Sequence, residues 1–392
     1  MKQFDVVIAG GAMAGMTLAL ALDTLSRSQL RIAVVEPFTV DHQAHPGFDS
    51  RSIALSFGTV EILKSLGLWE QIAPVATAIK HIHISDRSHA GMTNIDHSDI
   101  SVEALGYVVE LADVGRIYQT QLEQRPSISL LCPDSVHEIE RTASHNVVTL
   151  QSGEQLECRL LVAADGAISS CCQALGFELK QHDFDQVALI ANIRCQQAHQ
   201  GRAFERFTEQ GPVALLPMSD DRMSLVWCLR PEVAERVLHL DDAAFLAELQ
   251  QAFGWRLGQM TQVGLRASYP LLLRYRAQNI SHRFAIVGNA AQTLHPIAGQ
   301  GFNLGIRDVA SLAEEVVQSL ADVGRYQVLN AFSRRRQADR DTTIAMTSAL
   351  VHIFSNDYLS LRIGRNLGLA MMDNVPSLKT PLLQRTLGLV AR

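Results

Sequence analysis

A glycine-rich loop in the last third of the chain has the residue types best suited to holding a flat ligand. Residues 284–287 form a short apolar run that predicts a buried strand ending at Gly288, and a loop with Pro296, Gly299 and Gly301 then leads into a helical pattern. Glycines at a helix start let backbone N–H groups approach an electron-rich ligand without obstruction. The partial positive charge of the helix N-terminus favours an anionic ring or phosphate. A glycine-rich turn that binds nothing is the alternative interpretation.

A second glycine-rich turn lies near the N-terminus, between a predicted strand at 4–9 and a predicted helix at 16–25. Strand, turn and helix in this order are the context that dinucleotide binding requires. Gly10 permits the tight turn, and Gly15 permits close packing of the helix on the sheet. Ala12 stands where the motif has its middle glycine, so a methyl group lies where a pyrophosphate would approach.

Charged residues follow further predicted strands. Glu36 ends the second apolar strand and lies about 20 positions beyond Gly15, where the ribose-binding acid of a dinucleotide site falls. Because an acid suits an unphosphorylated ribose, the pattern predicts FAD or NAD rather than NADP. Asp165 and Gly166 follow another apolar strand, where ligands of open α/β sheets gather, although a helix N-cap is the alternative for Asp165. Arg51 is a candidate phosphate or flavin contact, with a surface charge as the alternative.

Composition limits the classes of protein. The chain has 392 residues, of which 47% are hydrophobic, and its net charge of −6 gives no support to nucleic-acid binding. The six cysteines show no metal-ligand spacing, and His81 and His83, which share one face of an alternating strand, lack a third ligand, so no metal site is predicted. The first strand leaves no room for a signal peptide, and no apolar segment approaches the ~20 residues that span a bilayer. These features predict a cytoplasmic protein.

The three motifs together resemble the fingerprints of the flavin-dependent aromatic hydroxylases, the p-hydroxybenzoate hydroxylase-like family. Asp165, Gly166 and Ser169 match its D-G-x-x-S-x-x-R motif, with Cys172 in place of Arg. The motif G-D-A-A-H followed by P-x-x-G-Q-G-x-N-x-G is matched except that Asn289 replaces Asp and Gln292 replaces His; the matching residues are Gly288, Ala290, Ala291, Pro296, Gly299, Gln300, Gly301, Asn303 and Gly305. Residues 44–55, 201–220 and 288–305 resemble one branch, the ubiquinone-biosynthesis hydroxylases that act on 2-polyprenyl-6-methoxyphenol.

The resemblance implies the following FAD-binding residues: Gly10, Gly11, Ala12, Met13, Ala14, Gly15, Glu36, Arg51, Asp165, Gly166, Asn289, Gly299, Gln300, Gly301, Phe302 and Asn303. Asn289 would bond the ribityl chain, and residues 299–303 would line the isoalloxazine. Pro296 would lie beside the reactive edge of the ring. His295 is the candidate catalytic base, and a structural loop histidine is the alternative.

The resemblance also implies a reaction. NAD(P)H would reduce FAD, O₂ would form a flavin hydroperoxide, and the para carbon of a prenylated methoxyphenol would be hydroxylated to a 1,4-benzoquinol in a dry apolar pocket. The implied partners are a lipophilic small molecule and other ubiquinone-biosynthesis proteins, with peripheral contact to the inner membrane. Two alternatives are a flavin-dependent reductase of an isoprenoid and a non-catalytic flavoprotein scaffold in a quinone-synthesis complex.

The predicted fold class is α/β with an α+β insertion. A Rossmann-like FAD-binding domain would contain a mainly antiparallel β-sheet substrate domain and be followed by a helical C-terminal tail. The predicted ranges are 1–77, 102–182 and 275–325 for the FAD-binding domain, 78–101 and 183–274 for the substrate domain, and 326–392 for the tail. Apolar stripes within 367–372 and 382–390 have two interpretations: packing onto the protein's own surface, or docking on a membrane or partner.

Overall fold

A computed structural model describes residues 1–39, 51–87, 91–354 and 383–390, together with residues 366, 368, 371 and 380. Two parts of the sequence predictions lie outside the described residues. They are residues 44–50 of the stretch 44–55, and the tail residues Leu367, Leu369, Met372 and Leu382.

The described residues form three sheets and two layers of helices. In chain order the strands are β1 (Lys2–Ala9), β2 (Ile32–Val35), β3 (Ser52–Ser56), β4 (Thr77–Ile79), β5 (His81–Asp86), β6 (Met92–Asp96), β7 (Gly106–Glu110), β8 (Ile128–Leu131), β9 (Val136–Arg141), β10 (Asn146–Leu150), β11 (Gln155–Ala163), β12 (Lys180–Cys195), β13 (Arg202–Phe207), β14 (Pro212–Pro217), β15 (Arg222–Leu229), β16 (Met260–Val263), β17 (Ala267–Tyr275), β18 (Ile280–Ser281), β19 (Phe284–Ile286) and β20 (Gln292–Thr293). The α-helices are α1 (Met13–Ser26), α2 (Phe57–Ser65), α3 (Trp69–Ile72), α4 (Leu111–Glu123), α5 (Ser170–Ala174), α6 (Pro231–Leu238), α7 (Asp242–Phe253), α8 (Gln300–Val317) and α9 (Tyr326–Phe354).

The first sheet has a parallel core in the order β19-β11-β1-β2-β8. Its central strands are covered on both faces, which explains why they read as continuous apolar runs: Val6, Val7 and Ile8 are all fully buried. The strands predicted at 4–9 and 284–287 are confirmed as β1 and β19. Helices α1 and α8 pack against each other on one face of this sheet, and α9 packs on α8.

The second sheet is mainly antiparallel, in the order β20-β17-β12-β15-β14-β13-β5-β6, with β16 beside β12 and with β13 and β5 parallel. Helices α6 and α7 cover one face, where Phe245 and Leu249 join the apolar cluster of the sheet. A small antiparallel sheet has the order β3-β7-β4, and β5 and β6 of the second sheet lie between β4 and β7 in the sequence.

The predicted fold class is therefore confirmed, with an antiparallel sheet inserted into a parallel one and helices at the C-terminal end. The exact domain boundaries stay a prediction. Strand β20 lies within the segment 275–325 that was predicted for the FAD-binding domain, but it pairs with β17 of the antiparallel sheet. In the part of the chain that the structure describes, no helix is long and apolar enough to cross a bilayer.

Candidate active site

The N-terminal glycines are required by close backbone contacts. Gly10 has φ of +100°, and a Cβ on it would lie 2.4 Å from the carbonyl oxygen of Ala164. A Cβ on Gly15 would lie 1.9 Å from the carbonyl oxygen of Gly10, so only glycine lets α1 start this close to the turn. These contacts bring the end of β1 against the end of β11, where Asp165 lies. The nucleotide edge, defined as residues 10–15, Glu36 and Asp165, is thereby assembled.

Glu36 lies directly beside the start of α1. The N–H of Gly11 donates to its Oε2 at 2.6 Å, and the N–H of Phe38 donates to its Oε1 at 3.1 Å. Ala12 is the exposed N-cap residue of α1, and no side chain caps this helix. The first N–H groups of α1 thus face outward beside a carboxylate, which suits the pyrophosphate and ribose of a dinucleotide.

Asp165 has one carboxylate oxygen committed to the protein. Its Oδ2 accepts from the hydroxyl of Ser170 and the N–H of Cys171, both at 3.2 Å. Its buried Oδ1 has no hydrogen-bond donor among the described residues. Ser169, not Asp165, caps α5, because its hydroxyl accepts the N–H of Cys172 at 3.0 Å. A buried carboxylate oxygen without a donor is costly, and a cofactor hydroxyl would satisfy it.

The ring loop, defined as residues 296–301, joins a short helical turn to α8. Gly299 is the N-cap of α8 with φ of +60°, so glycine is required there by conformation. Gly301 lies in the first turn of α8, and a Cβ on it would meet no protein atom within 4 Å. The backbone at Gly301 therefore borders open space, which the sequence analysis assigned to the flavin ring.

Small residues bring the ring loop and the nucleotide edge together. A Cβ on Gly288 would lie 2.8 Å from the Cβ of Ala14 in α1, and a Cβ on Gly305 would lie 3.1 Å from the Cα of Gly288. Larger side chains at these positions would push α1 and α8 apart. The two glycine motifs, almost 280 residues apart in the sequence, are thus held close together by the packing of α1 and α8.

Several predicted cofactor residues use their side chains within the protein instead. Asn303 donates to the carbonyls of Gly299 at 2.7 Å and Ala54 at 3.0 Å, and it accepts the N–H of Ser56 at 2.8 Å. The amide of Gln300 donates to the carbonyl of Thr386 at 3.0 Å. The side chain of Asn303 therefore fastens the ring loop to β3, which leaves contact with the ring to the backbone.

The remaining predicted residues lie around these two motifs. Phe302 and Met13 pack at the edge of the main apolar cluster, and Asn289 is exposed just after β19. Arg51 is exposed, and its carbonyl accepts the N–H of Leu111 at 2.8 Å. Nothing in these contacts prevents Asn289 or Arg51 from reaching a bound nucleotide.

Gln292, which replaces the family's His, belongs to a buried polar network behind α8. Its amide donates to Oδ2 of Asp308 at 2.7 Å, and its carbonyl oxygen accepts Nε of Arg340 at 2.9 Å. Arg336 donates to Oδ1 of Asp308 at 2.7 Å, and Arg307 donates to Asp339 at 2.8 Å. These charge-assisted bonds fix α8 against α9 and so hold the ring loop in place.

His295 is fully buried and does not line the cavity. Its Nδ1 accepts the N–H of Ile297 at 3.2 Å, and its Nε2 bonds Oε1 of Gln186 at 3.0 Å. Burial lowers the pKa of His295 to about 4, so the ring is neutral at physiological pH. Both ring nitrogens are occupied, which argues against the predicted role as a catalytic base and favours a structural loop histidine. His81 and His83 likewise pair across the strands, with Asp96 and Asn94.

An apolar cavity of ≈ 260 Å³ lies between the ring loop and the antiparallel sheet. Pro296 and Gly299 of the ring loop line one part of it, and Ile82 and Ile84 of β5 line another. The alternation along β5 predicted its two faces, but the sequence analysis did not identify the isoleucine face as a pocket wall. Two further parts of the lining were missed because they come from remote segments: the Phe207–Phe354 stack, with ring centroids 3.9 Å apart, and the C-terminal leucines.

The cavity contains little polar chemistry. Of the described residues that line it, Glu205 alone carries an ionisable side chain; the other polar members are Ser56, Thr93, Asn303 and Thr386. Glu205 was not predicted as a site residue, because an acidic residue in an alternating strand is expected to face solvent. A single carboxylate in an apolar pocket is suited to orienting a hydroxyl group of an otherwise apolar substrate.

The residues present fit FAD. Three features suit the nucleotide: the uncapped start of α1, the carboxylate of Glu36 and the Oδ1 of Asp165, which has no donor among the described residues. The open space at Gly301 suits the ring. A parallel sheet with this edge, an inserted antiparallel sheet and an apolar cavity at the ring loop define the class of flavin-dependent hydroxylases. Pro296 and Gly299 of the ring loop line the cavity, and none of residues 10–15, Glu36 and Asp165 belongs to its described lining.

Comparison with known proteins agrees with that class. The family described as FAD binding domain matches residues 3–346. Ubiquinone hydroxylase UbiL of Rhodospirillum rubrum is 33% identical over 390 residues, covering 99% of this chain and 90% of the relative. The 3-demethoxyubiquinol 3-hydroxylase of Escherichia coli is 31% identical, with 98% of each chain covered. Among solved structures, p-nitrophenol 4-monooxygenase PnpA from Pseudomonas putida has the same fold, with a TM-score of 0.82, 17% identity and 99% of both chains covered.

The chain belongs to the FAD binding domain family, together with these ubiquinone hydroxylases. It is an FAD-dependent aromatic monooxygenase, and NAD(P)H and O₂ are the cosubstrates typical of its family. The resemblance stated from the sequence is confirmed at this level.

Proposed function

We propose that this protein hydroxylates 2-polyprenyl-6-methoxyphenol to 2-polyprenyl-6-methoxy-1,4-benzoquinol in ubiquinone biosynthesis, using NAD(P)H and O₂. The observation that carries the proposal is the apolar cavity, which has Pro296 and Gly299 of the ring loop in its wall and a single ionisable residue, Glu205. The isoprenoid substituent of an electron-rich phenol matches the apolar lining, and its hydroxyl group matches the single ionisable side chain. The relatives named as ubiquinone hydroxylases support the same substrate class.

Bound FAD supplies the activation of oxygen, and the chain positions and shields it. The nucleotide edge holds the dinucleotide, and the glycines at 299 and 301 leave room for the ring beside the cavity. The isoleucines of β5 and the Phe207–Phe354 stack exclude water from the site of oxygen transfer. Asn303 and the Asp308 network keep the ring loop from moving away from that wall.

Glu205 is our proposed acceptor for the phenol proton. It lies on β13, which pairs with β5 on one side and β14 on the other, so its backbone position is fixed. A carboxylate that accepts the phenolic hydrogen bond raises the electron density of the aromatic ring, and proton transfer by a positioned acid or base contributes about 100-fold or more to rate. We assign this role to Glu205 instead of His295, because the ring nitrogens of His295 bond Gln186 of β12 and the N–H of Ile297.

A second candidate substrate is 3-demethoxyubiquinol, favoured by the 31% identity to the Escherichia coli enzyme named for it. Both candidates carry an isoprenoid chain and an oxygenated ring, so the apolar cavity suits either. They differ in the ring carbon that is hydroxylated. A complex with other ubiquinone-biosynthesis proteins and peripheral contact with the inner membrane are compatible with either substrate.

The test uses the purified FAD-loaded protein with NADH or NADPH and ¹⁸O₂. Each candidate substrate, with a short prenyl chain, is supplied separately, and products are analysed by mass spectrometry. Incorporation of one ¹⁸O into the methoxyphenol at the para carbon is the expected result. Incorporation only into the demethoxyubiquinol would assign the second substrate instead. Reduction of a double bond without ¹⁸O would favour the isoprenoid reductase, and no turnover of any compound would favour the scaffold.

A further inference from the structure

The cavity is small for the substrate class proposed above. Its volume of ≈ 260 Å³ lies below the range of about 300–1,000 Å³ that encloses drug-sized ligands. A methoxyphenol ring with one or two isoprenoid units fills a space of this order, and each further unit adds to the requirement. A long isoprenoid chain must therefore extend out of the cavity.

The C-terminal part of the cavity wall is built differently from the part that the antiparallel sheet forms. The antiparallel sheet contributes strands that are fixed on both sides by ladder hydrogen bonds. The C-terminal turn, defined as residues 383–388, contributes Leu383, Thr386 and Leu387 to the lining. The two leucines are 6% and 4% exposed and pack on the apolar face of β4 to β6. This turn covers the cavity without belonging to a sheet.

Hydrogen bonds join the C-terminal turn to α2 and α8. The N–H of Gly58, an uncapped first-turn donor of α2, bonds the carbonyl of Leu387 at 2.7 Å. The amide of Gln300 bonds the carbonyl of Thr386 at 3.0 Å. A Cβ on Gly58 would lie 2.4 Å from the carbonyl oxygen of Gly388, so the turn can approach α2 only because residue 58 is glycine. The turn itself ends at Gly388, with φ of +72°, and the N–H of Leu389 bonds the carbonyl of Gln384 at 2.7 Å.

We propose that the C-terminal turn is a displaceable wall of the cavity, through which the isoprenoid chain leaves the site, and that its contact with Gly58 sets the preference for chain length. The inference rests on the proposed function for the nature of the substrate. A short-chain substrate fits behind the closed wall. A long-chain substrate must break the contacts at Gly58 and Gln300 and then fills the opening itself.

The packing of the C-terminal turn bears on the first of the two interpretations of the tail. The described leucines of the C-terminal turn pack onto the protein's own cavity, not onto an external surface. Loss of the wall should therefore harm short-chain substrates most, because they leave the opening unfilled and admit water. A tail that served only to dock a membrane would have the opposite consequence, with long-chain substrates most affected.

Gly58→Ala tests the proposal with one methyl group. Alanine is the better helix former by about 1 kcal/mol, so the change favours α2 itself and acts through the collision with Gly388. Gly115→Ala is the matched control, since Gly115 lies within α4 and a Cβ there would meet no atom within 4 Å. Gly388→Ala is a second variant that disturbs the turn from its own side, through its positive φ and a 3.0 Å approach to the hydroxyl of Ser56.

The first readout does not need turnover. Trypsin cleavage after Arg385, identified by mass spectrometry, should be slow in the FAD-loaded parent and in Gly115→Ala, and fast in Gly58→Ala and Gly388→Ala. A long-chain methoxyphenol should accelerate this cleavage in the parent, whereas a short-chain one should not. If the long-chain compound binds but leaves cleavage after Arg385 unchanged, the chain leaves elsewhere and the proposal fails.

The second readout is kinetic. Gly58→Ala should lower KM for long-chain substrates by about 5-fold to about 30-fold, the effect of one or two hydrogen bonds no longer broken on binding. For short-chain substrates it should lower the yield of hydroxylated product per NAD(P)H consumed. Equal losses for both chain lengths would reduce the turn to a structural element. A parent enzyme that hydroxylates neither compound would contradict the proposed function. The rate of trypsin cleavage after Arg385 would then still test whether the C-terminal turn is displaced.

Discussion

Gly58 and Gly301 both lie in the first turn of a helix beside the cavity, but they are glycine for different reasons. At Gly58 a Cβ would strike the carbonyl oxygen of Gly388 at 2.4 Å, so the chain itself requires glycine there. At Gly301 a Cβ would meet no protein atom within 4 Å, and the helical backbone needs no positive φ. The protein therefore accounts for the first glycine, and a bound ring is our proposed reason for the second.

Open space alone does not identify a ligand site. Gly115 in α4 has the same free surroundings as Gly301, and no described residue of α4 lines the cavity. Gly301 differs in its neighbours, because Pro296 and Gly299 line the cavity and α1 packs against α8. The comparison predicts that damage at the nucleotide edge, in the cavity and behind the ring loop will have separable consequences.

The largest effect is expected at the nucleotide edge. Glu36→Arg replaces the acceptor of the Gly11 N–H with a side chain that cannot accept a hydrogen bond, so the purified protein should lose FAD and with it all hydroxylation. Glu178→Arg, at an exposed position, makes the same change of charge and should retain FAD. The measurement is FAD content by absorbance after gel filtration. Full occupancy in Glu36→Arg would place the ribose elsewhere.

A variant in the cavity should retain FAD but hydroxylate its substrate more slowly. Glu205→Gln keeps the size of the side chain but removes the carboxylate from the apolar lining, and we expect kcat/KM to fall by about 100-fold. Glu209→Gln, at an exposed position just beyond β13, is the control. An unchanged kcat/KM in Glu205→Gln would remove this residue from the mechanism.

The smallest effect is expected at His295, which lies behind the ring loop. Its pKa in the folded protein is about 4, below the ordinary value of 6.5, so the unfolded chain binds the proton more readily. Stability should therefore fall as the pH drops from about 6.5 towards 4, by about 2 kcal/mol between pH 7 and pH 5. Urea unfolding of the parent and of His295→Gln should show a smaller loss in the variant. The exposed His239→Gln should behave like the parent.

The sequence predicts the parts of this molecule that local patterns determine. The apolar runs that became β1, β2 and β19 follow from burial on both faces, and the glycine turns follow from close backbone contacts. The positions of Glu36 and Asp165 follow from the ends of those strands. Their part in binding FAD stays a prediction, as do the roles of Asn289 and Arg51.

The other parts depend on contacts between distant segments. The sequence predicts His295 as a candidate base because it does not show that Gln186, 109 positions earlier, bonds its Nε2. The sequence predicts Asn303 as a flavin contact because it does not show that this side chain hydrogen-bonds the backbone of Ala54 and Ser56. The cavity wall formed by Leu383 and Leu387 required the C-terminus to return to β4 and β5. No periodicity in a single segment carries that information.

The most direct test of the account compares Gly301→Val with Gly115→Val. Both place the same side chain on a helix where the protein leaves open space, so they differ only if a ring lies at Gly301. The measurement is the amount of hydroxylated product per NAD(P)H consumed by the FAD-loaded protein. The account predicts that Gly301→Val keeps FAD but releases peroxide in place of most of the product, while Gly115→Val couples like the parent. Equal coupling in the two variants would show that the flavin ring lies elsewhere.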